Sequence, residues 1–427
     1  MKVLLLGSGG RESALAAGLD ASSSVSSLVA APGNPGIGRF ADLVSDIDIT
    51  SGEAVAALAD RIDAELVVVG PEAPLVAGVA DPLRASGRAV FGPDRAAARI
   101  EGSKSYAKQL MEKAGVPTAR FGTFEEIEPA AMFMDELGPP HVIKADGLAA
   151  GKGVIVTEDR AEALSALEQI LLRGRFGPAG ERVVVEEFLD GPETSVIAFC
   201  DGKSVIACEP AQDYKRVDDD DRGPNTGGMG SYSPVPVCPP ELVARITTEI
   251  LEPMVAVTAE AGAPFVGALY AGLALTSAGP RVIEFNARFG DPETQALIPR
   301  LRSDLADLCL ASARGELAGM NLEWSTDACV TVVAASGGYP GDYITGSEIE
   351  GIEAAERLGV SVFHAGTASR DGKLVTAGGR VLAVSALGAT FARARRVAYD
   401  AMSKIHFENM HVRADIGVRA ELGERSG

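Results

Sequence analysis

Hydrophobic residues in the first hundred positions come in short continuous runs, not in alternation. Residues 3–6, 27–31, 66–69 and 89–91 are almost wholly apolar. Such runs predict strands of a parallel sheet buried on both faces. Most lead into turns rich in glycine or proline: Gly7-Ser8-Gly9-Gly10, Pro32-Gly33-Asn34-Pro35 and Gly70-Pro71-Glu72-Ala73-Pro74. In open α/β sheets ligands bind at the carboxyl ends of the strands, where these turns fall. Residues 101–113 predict a helix with Ser103 as its N-cap. A smaller αβ unit follows from 118 to 190, with strands at 141–145, 154–156 and 182–187 and a helix at 159–172. Strands at 194–200 and 203–209 meet at Asp201-Gly202, a hairpin signal. Residues 212–236 show no periodicity, and loops that long inside compact domains are usually functional or disordered. A helix at 240–261, two strands ending at Asn286 and a last αβ segment from 326 to 420 complete the pattern.

The second of those two strands carries the most chemistry. After Val282-Ile283 it places Glu284, Asn286 and Arg288 at every second residue, then runs into Phe289-Gly290-Asp291-Pro292-Glu293. Side chains repeat with period two along a strand, so the three polar groups face one way. Two oxygen donors suit Mg²⁺, which takes one or two protein oxygens and completes its shell with substrate phosphates. The planar cation beside them suits a carboxylate or phosphate. An outward-facing polar stripe on a sheet is the plainer alternative.

Two glycine loops need separate readings. Gly7-Ser8-Gly9-Gly10-Arg11-Glu12 opens a helix after a strand, as dinucleotide sites do. Yet Glu12 stands where a third glycine is required, and the second strand ends in Ala30-Ala31-Pro32 with no acid for a ribose. What remains is an anion site at a helix N-terminus, where a single phosphate fits better than a dinucleotide, or a tight βα turn with no ligand. The second loop runs from Lys144 through Gly147, Gly151 and Gly153 into another strand, so it is not a P-loop. A glycine hairpin can still close over a triphosphate with backbone N–H donors. Lys104 and Lys144 are placed to neutralise phosphate oxygens. Further on, Glu186-Glu187-Phe188-Leu189 reads as a hinge whose backbone can meet an adenine edge, with Glu193 in reach of ribose hydroxyls.

Composition narrows the partners. A chain of 427 residues exceeds one core, so two to four domains are expected. The net charge of −20 opposes nucleic acid and anionic lipid, and it requires a local cationic pocket for any anionic substrate. Cys200, Cys208, Cys238, Cys309 and Cys329 contain no C-x-x-C pair, so reduced thiols are expected. The apolar run at 2–6 is too short for a signal peptide, and no stretch approaches membrane-spanning length. A cytoplasmic protein with small-molecule substrates is expected, with no membrane or nucleic-acid partner, acting as a monomer.

In this order the pieces resemble the ATP-grasp fold. The match narrows over residues 1–420 through Gly9-Gly10-Arg11-Glu12, Val69-Gly70-Pro71-Glu72-Ala73-Pro74-Leu75, Ile143 to Val154, Gly223 to Gly230 and Glu284 to Gln295. Together these segments resemble the glycinamide ribonucleotide synthetase (phosphoribosylamine–glycine ligase) family of purine biosynthesis. The resemblance implies an α/β architecture with an open parallel N-terminal domain at 1–100 for the amino sugar. It implies a central ATP-grasp subdomain at 101–117 and 191–325, a small mobile ATP lid at 118–190 and a C-terminal α/β domain at 326–427. The implied reaction joins glycine to 5-phosphoribosylamine, splitting ATP to ADP and phosphate through a glycyl phosphate. No covalent enzyme nucleophile is needed, in keeping with the absence of a Ser/His/Asp or Cys/His pattern.

The resemblance also implies roles. Glu284 and Asn286 would hold Mg²⁺ or Mn²⁺ on the ATP phosphates. Lys104, Lys144, Gly151 and Gly153 would meet those phosphates, and Glu186, Glu187, Phe188, Leu189 and Glu193 the nucleoside. Arg288 would steady the glycine carboxylate and the moving phosphoryl group. Gly9, Gly10, Arg11 and Glu12 would take the sugar phosphate, with Asn34, Pro71 and Glu72 around the ribose. Asn225, Thr226, Gly227, Gly228 and Met229 would close beside the small substrates, with Asp213 and Lys215 joining Arg288 and Lys144 in catalysis. Three positions depart from the family pattern: Ser8, Ser13 and Tyr214 stand for Asn, His and His. Both missing histidines are expected near the substrates, with an altered affinity for the amino sugar. Competing readings are a different ATP-grasp ligase or carboxylase, an NAD-dependent oxidoreductase built on the first loop, and a silent nucleotide-binding scaffold.

Overall fold

In a computed structural model, residues 1–149 and 153–424 are described; Gly151, expected in the phosphate loop, lies outside them. The first apolar runs form β1 (Lys2–Gly7), β2 (Ser27–Pro32), β4 (Leu66–Val69) and β5 (Ala89–Phe91). A two-residue strand that the pattern does not announce, β3 (Asp42–Leu43), completes a parallel sheet of order β3-β2-β1-β4-β5. Val3 to Leu6 and Leu66 to Val68 are fully buried, as strands covered by helices on both faces require.

The predicted lid is a four-stranded antiparallel sheet. Its strands are β6 (Phe121–Phe124), β7 (His141–Ala145), β8 (Val154–Thr157) and β9 (Val183–Glu186), in the order β6-β9-β7-β8. Helices Ile127–Leu137 and Arg160–Leu171 pack on it. Met134, Ile143, Leu167 and Val185 form a core of its own, separate from the main ones.

The central sheet runs Val205–Ala207, Glu193–Asp201, Val266–Thr276, Gly279–Asn286, all antiparallel. The hairpin at Asp201-Gly202 forms as predicted. Gly202 takes φ +90° and the Asp201 carboxylate accepts from the amides of Lys203 and Ser204. Between Gly272 and Leu273 the register slips, leaving Ile283 as the extra residue of a β-bulge. The helix expected at 240–261 is Pro240–Ile246 and Glu252–Glu260 joined by a π turn over Thr247–Leu251.

Residues 212–236 differ most from expectation. Gln212–Asp213 and Gly230–Ser233 pair with each other, and the latter pairs with Ala328–Ser336. The stretch therefore enters the C-terminal sheet, which continues through Arg380–Gly388 and Ser361–His364. Between its two strands, Arg216–Asp218 and Arg222–Asn225 make a hairpin. At its tip Asp221 pairs with the fully buried Arg413 at 3.2 Å. These strands are two to four residues long, too short to show a period. All five cysteines are free and buried. Among the described residues no helix is long and apolar enough to cross a membrane.

The first sheet meets the central one where Gly92, just past β5, faces Gly267. A Cβ on Gly267 would stand 2.9 Å from both the nitrogen and the Cα of Gly92, and Gly267 holds φ +124°. Gly267→Ala is expected to destabilise the chain by about 2 kcal/mol or more, read as a lowered urea midpoint.

Candidate active site

A cleft of about 1200 Å³ opens where the lid, the central sheet, the first domain's turns and the C-terminal sheet converge. The strand Gly279–Asn286 floors it. Val282, Phe285 and Ala287 share one core cluster. Strict alternation would put Val282 and Phe285 on opposite faces; the extra residue at Ile283 corrects the phase. Glu284, Asn286 and Arg288 then all line the cleft. Among the described residues neither the Glu284 carboxylate nor the Asn286 amide has a hydrogen-bond or ion-pair partner. Burial pushes the Glu284 carboxyl up, but Lys215, Lys144, Lys104 and Arg288 outweigh it and hold its pKa below the ordinary value. Arg288 is held from two sides, by Glu101 at 2.9 Å and Glu72 at 3.2 Å. Glu101 is buried and also accepts from the Ala287 amide at 2.7 Å.

The hinge side is built from a helix end and two lid strands. Ser103 caps Lys104–Ala114 by accepting from the Tyr106 amide, as predicted. Lys104 therefore opens the helix at the cleft, its Nζ donating to Gly147 O at 3.3 Å. Burial lowers its pKa. Lys144 Nζ lies 2.9 Å from Glu186 Oε2 and donates to Ile283 O at 3.0 Å. Lys108, not singled out from the sequence, sits 3.0 Å from the same oxygen. Its signal is visible afterwards: it lies four residues after Lys104, on the same helical face. Glu187 pairs with Arg281 at 2.6 Å, and Glu193 with Lys215 at 2.5 Å. Phe188, 46% exposed, and Leu189 line the opening, as does Gly153.

Asp213 and Lys215 form the far wall beside Tyr270 and Glu293. Burial pushes Asp213 up to about 7, with Lys215 opposing and Glu293 and Glu193 reinforcing the rise. Glu293 accepts from Tyr270 at 2.9 Å and Ser195 at 3.1 Å. Asn225, Thr226 and Gly227 also line the cleft. Their loop is tied down: Thr226 donates to Lys215 O, Gly227 N donates to Tyr339, and Arg380 donates to Gly227 O at 2.5 Å. Arg380 also pairs with Asp291 at 3.2 Å. Met229 does not reach the cleft, because its side chain is buried against Val217 and Ala335. Gly228, at φ +107°, packs on Pro292 instead.

The first glycine loop is the main departure from expectation. Gly9 N donates to Glu12 Oε2 at 2.7 Å, while Arg11 Nε lies 2.5 Å from Glu12 Oε1. The Asp291 carboxylate stands against Gly9 and Gly10, where burial raises its pKa but Arg380 and Arg11 outweigh it and hold it below the ordinary value. The helix N-terminus is thus answered by two internal carboxylates, where a sugar phosphate was expected. Gly9 and Gly10 are small because Glu12, Asp291 and Gln295 press on them. Glu12 is 1% exposed, and Asn34 spends its amide on Ser8 O, His364 O and the amides of Gly36 and Ile37. Pro71 serves as the N-cap of the helix Glu72–Ala77. Of that group, Arg11 and Glu72 line the cleft. The two substituted histidine positions lie away from it. Ser13 is buried and accepts from the His364 amide, and Tyr214 is buried with its hydroxyl accepting from the Gly417 amide. Glu101, Asp291, Glu293, Tyr270 and Arg380 join the site only through tertiary contact.

Models of three phosphoribosylglycinamide synthetase domains match in succession: the N domain over residues 1–101, the ATP-grasp (A) domain over 102–294 and the C domain over 329–419. Phosphoribosylamine–glycine ligase of Mesorhizobium japonicum is 52% identical over 426 residues, covering all of both chains. That of Streptomyces coelicolor is 51% identical over 98% of this chain and 99% of its own. The crystal structure of phosphoribosylamine–glycine ligase from Thermotoga maritima superposes with TM-score 0.86 at 35% identity, covering 97% of this chain and all of that one. The biotin carboxylase domain of the Hydrogenobacter thermophilus 2-oxoglutarate carboxylase shares the fold alone, with TM-score 0.72 at 17% identity over 96% and 91% of the two chains. With three consecutive domain models matched and full-length relatives at about half identity, this chain belongs to the phosphoribosylglycinamide synthetase family, the phosphoribosylamine–glycine ligases.

Proposed function

We infer that this chain is an ATP-dependent ligase that joins the glycine carboxyl to the amine of 5-phosphoribosylamine, giving glycinamide ribonucleotide, ADP and phosphate. The observation that carries the residue assignments is the unpartnered Glu284–Asn286 pair, set among Lys104, Lys144, Lys215 and Arg288 in one cleft. Two hard oxygens with no protein partner among the described residues fit Mg²⁺ or Mn²⁺, whose remaining ligands come from ATP phosphates and water. Among the described residues no group of three or more His, Cys, Asp or Glu is present to fill the shell instead. When bound, such a cation supplies charge neutralisation at the phosphate oxygens.

The chain's own residues do the rest. Lys104 and Lys144 face the phosphates, and the segment from Glu186 to Glu193 takes the nucleoside. Arg288, made rigid by Glu101 and Glu72, orients the glycine carboxylate against the γ-phosphorus. The glycine oxygen takes the phosphoryl group and ADP leaves. The sugar amine then attacks the acyl carbon of glycyl phosphate, the C–O bond to phosphate breaks, and the nitrogen gives up a proton. Asp213 is the acceptor we assign, with Lys215 balancing its charge. The amino sugar enters between Arg11, Glu72 and the loop Asn225–Gly227. Gly9, Gly10, Glu12, Asn34 and Met229 support that wall from behind. A net charge of −20 supports small-molecule partners over nucleic acid or membrane. We take the working species as a cytoplasmic monomer, which sedimentation velocity checks.

ADP release from Mg·ATP is expected to require glycine and phosphoribosylamine together. Sustained release with an acid other than glycine, or none with all three substrates present, would overturn this reading. Glu284→Ala is expected to lower kcat/KM on the order of a thousandfold, with an unchanged urea midpoint; normal metal-dependent turnover would remove it from the site. Because Asp213 works as the carboxylate, kcat/KM for the amino sugar is expected to rise with pH through about 7. Asp213→Asn should abolish that limb, and a variant that keeps it would assign the limb to another group.

A further inference from the structure

Lys108 is a buried ammonium, 2% exposed, to which the reaction so far assigns no work. Its contacts close a circuit. Lys108 Nζ donates to Thr118 Oγ1 at 2.7 Å, and that hydroxyl donates to Val282 O at 2.6 Å. On its other side Lys108 meets Glu186 Oε2 at 3.0 Å; Lys144 meets the same oxygen at 2.9 Å and donates to Ile283 O at 3.0 Å. The circuit ends on the neighbouring carbonyls of Val282 and Ile283, at the bulge that aims Glu284. Glu186 is 3% exposed and gives one oxygen to both lysines. Its other oxygen, Oε1, is buried with no hydrogen-bond partner among the described residues.

A buried carboxylate oxygen without a donor is costly, and a ligand that brings one gains what the free protein lacks. Since Glu186 lines the cleft, a ligand can bring that donor, and on a hinge that holds the nucleoside the purine N–H is the group in place. We propose that Lys108 is a positioning residue that, with Lys144, locks the Glu186 carboxylate in the one orientation in which Oε1 meets the 6-amino group of adenine. A 6-oxo group would set lone pairs against lone pairs, which a buried site rejects strongly. Two anchors are needed because one lysine leaves the carboxylate free to swing. Burial brings the Lys108 pKa down to about 8 against the pull of Glu186, so the ammonium persists at neutral pH.

The inference rests on the hinge being the nucleoside pocket, and the test separates the two. kcat and KM are measured with ATP and with purine riboside 5′-triphosphate, which lacks the 6-amino group, for the wild-type enzyme, Lys108→Met and Thr118→Val. The wild-type enzyme is expected to prefer ATP by about tenfold or more. In Lys108→Met that preference should collapse to about twofold, with a rise in the KM for ATP larger than the fall in kcat. Thr118→Val keeps the ammonium but removes its anchor, so its preference should fall in the same direction; it decides the matter if Lys108→Met does not fold. A wild-type preference retained in the folded variants overturns the role of Lys108. No preference in the wild-type enzyme overturns the nucleoside reading of the hinge, and the inference with it.

Discussion

The site depends on a phase change in one strand. Val282 and Phe285 must both enter the core, yet they are three residues apart, an odd number that alternation forbids. The bulge at Ile283 absorbs the extra residue. Downstream of it, Glu284 and Asn286 turn to the cleft while Phe285 and Ala287 anchor the strand from behind. The bulge also frees the Ile283 carbonyl, which Lys144 then takes. Core packing, ligand placement and lid attachment meet in one irregular peptide.

Electrostatics explains why this cleft serves anions in an acidic chain. At a net charge of −20 the surface repels phosphates. Lys104, Lys108, Lys144, Lys215, Arg11, Arg288 and Arg380 converge on one cleft instead. Burial would discharge the lysines if they stood alone. Carboxylates placed behind them offset that cost: Glu186 for Lys108 and Lys144, and Glu193 for Lys215. Arg288 has Glu101 and Glu72 in the same role. Among the described residues Glu284 and Asn286 are polar groups of the floor left without such partners, which leaves them available to a ligand.

The helix N-terminus at Gly10 shows how a sequence signal is redirected by packing. Gly9-Gly10-Arg11 has the chemistry of an anion site, and it does bind carboxylates. The Gly9 amide is taken by Glu12 of the same helix, and the carboxylate of Asp291, 280 residues after Arg11, stands against the two glycines. Asp291 also holds Arg380, so the motif staples the first domain to the central and C-terminal ones. Ser13 and Tyr214 fit the same picture: both sit behind the cleft wall, where a hydroxyl satisfies a backbone amide.

The sequence by itself determined four of the five strands of the parallel first sheet, three of the four lid strands, the hairpin at Asp201-Gly202 and the polar triad Glu284, Asn286 and Arg288. Each of these is a local pattern: an apolar run, a turn dipeptide or a period of two. It did not show that residues 212–236 join the C-terminal sheet, since strands of two to four residues carry no period. Nor did it show the bulge at Ile283, because the register of one strand is set by its partner. Glu101, Lys108, Asp291 and Arg380 were equally hidden. A charged residue has no local signature of burial, and only the folded chain decides which carboxylate stands behind which cation.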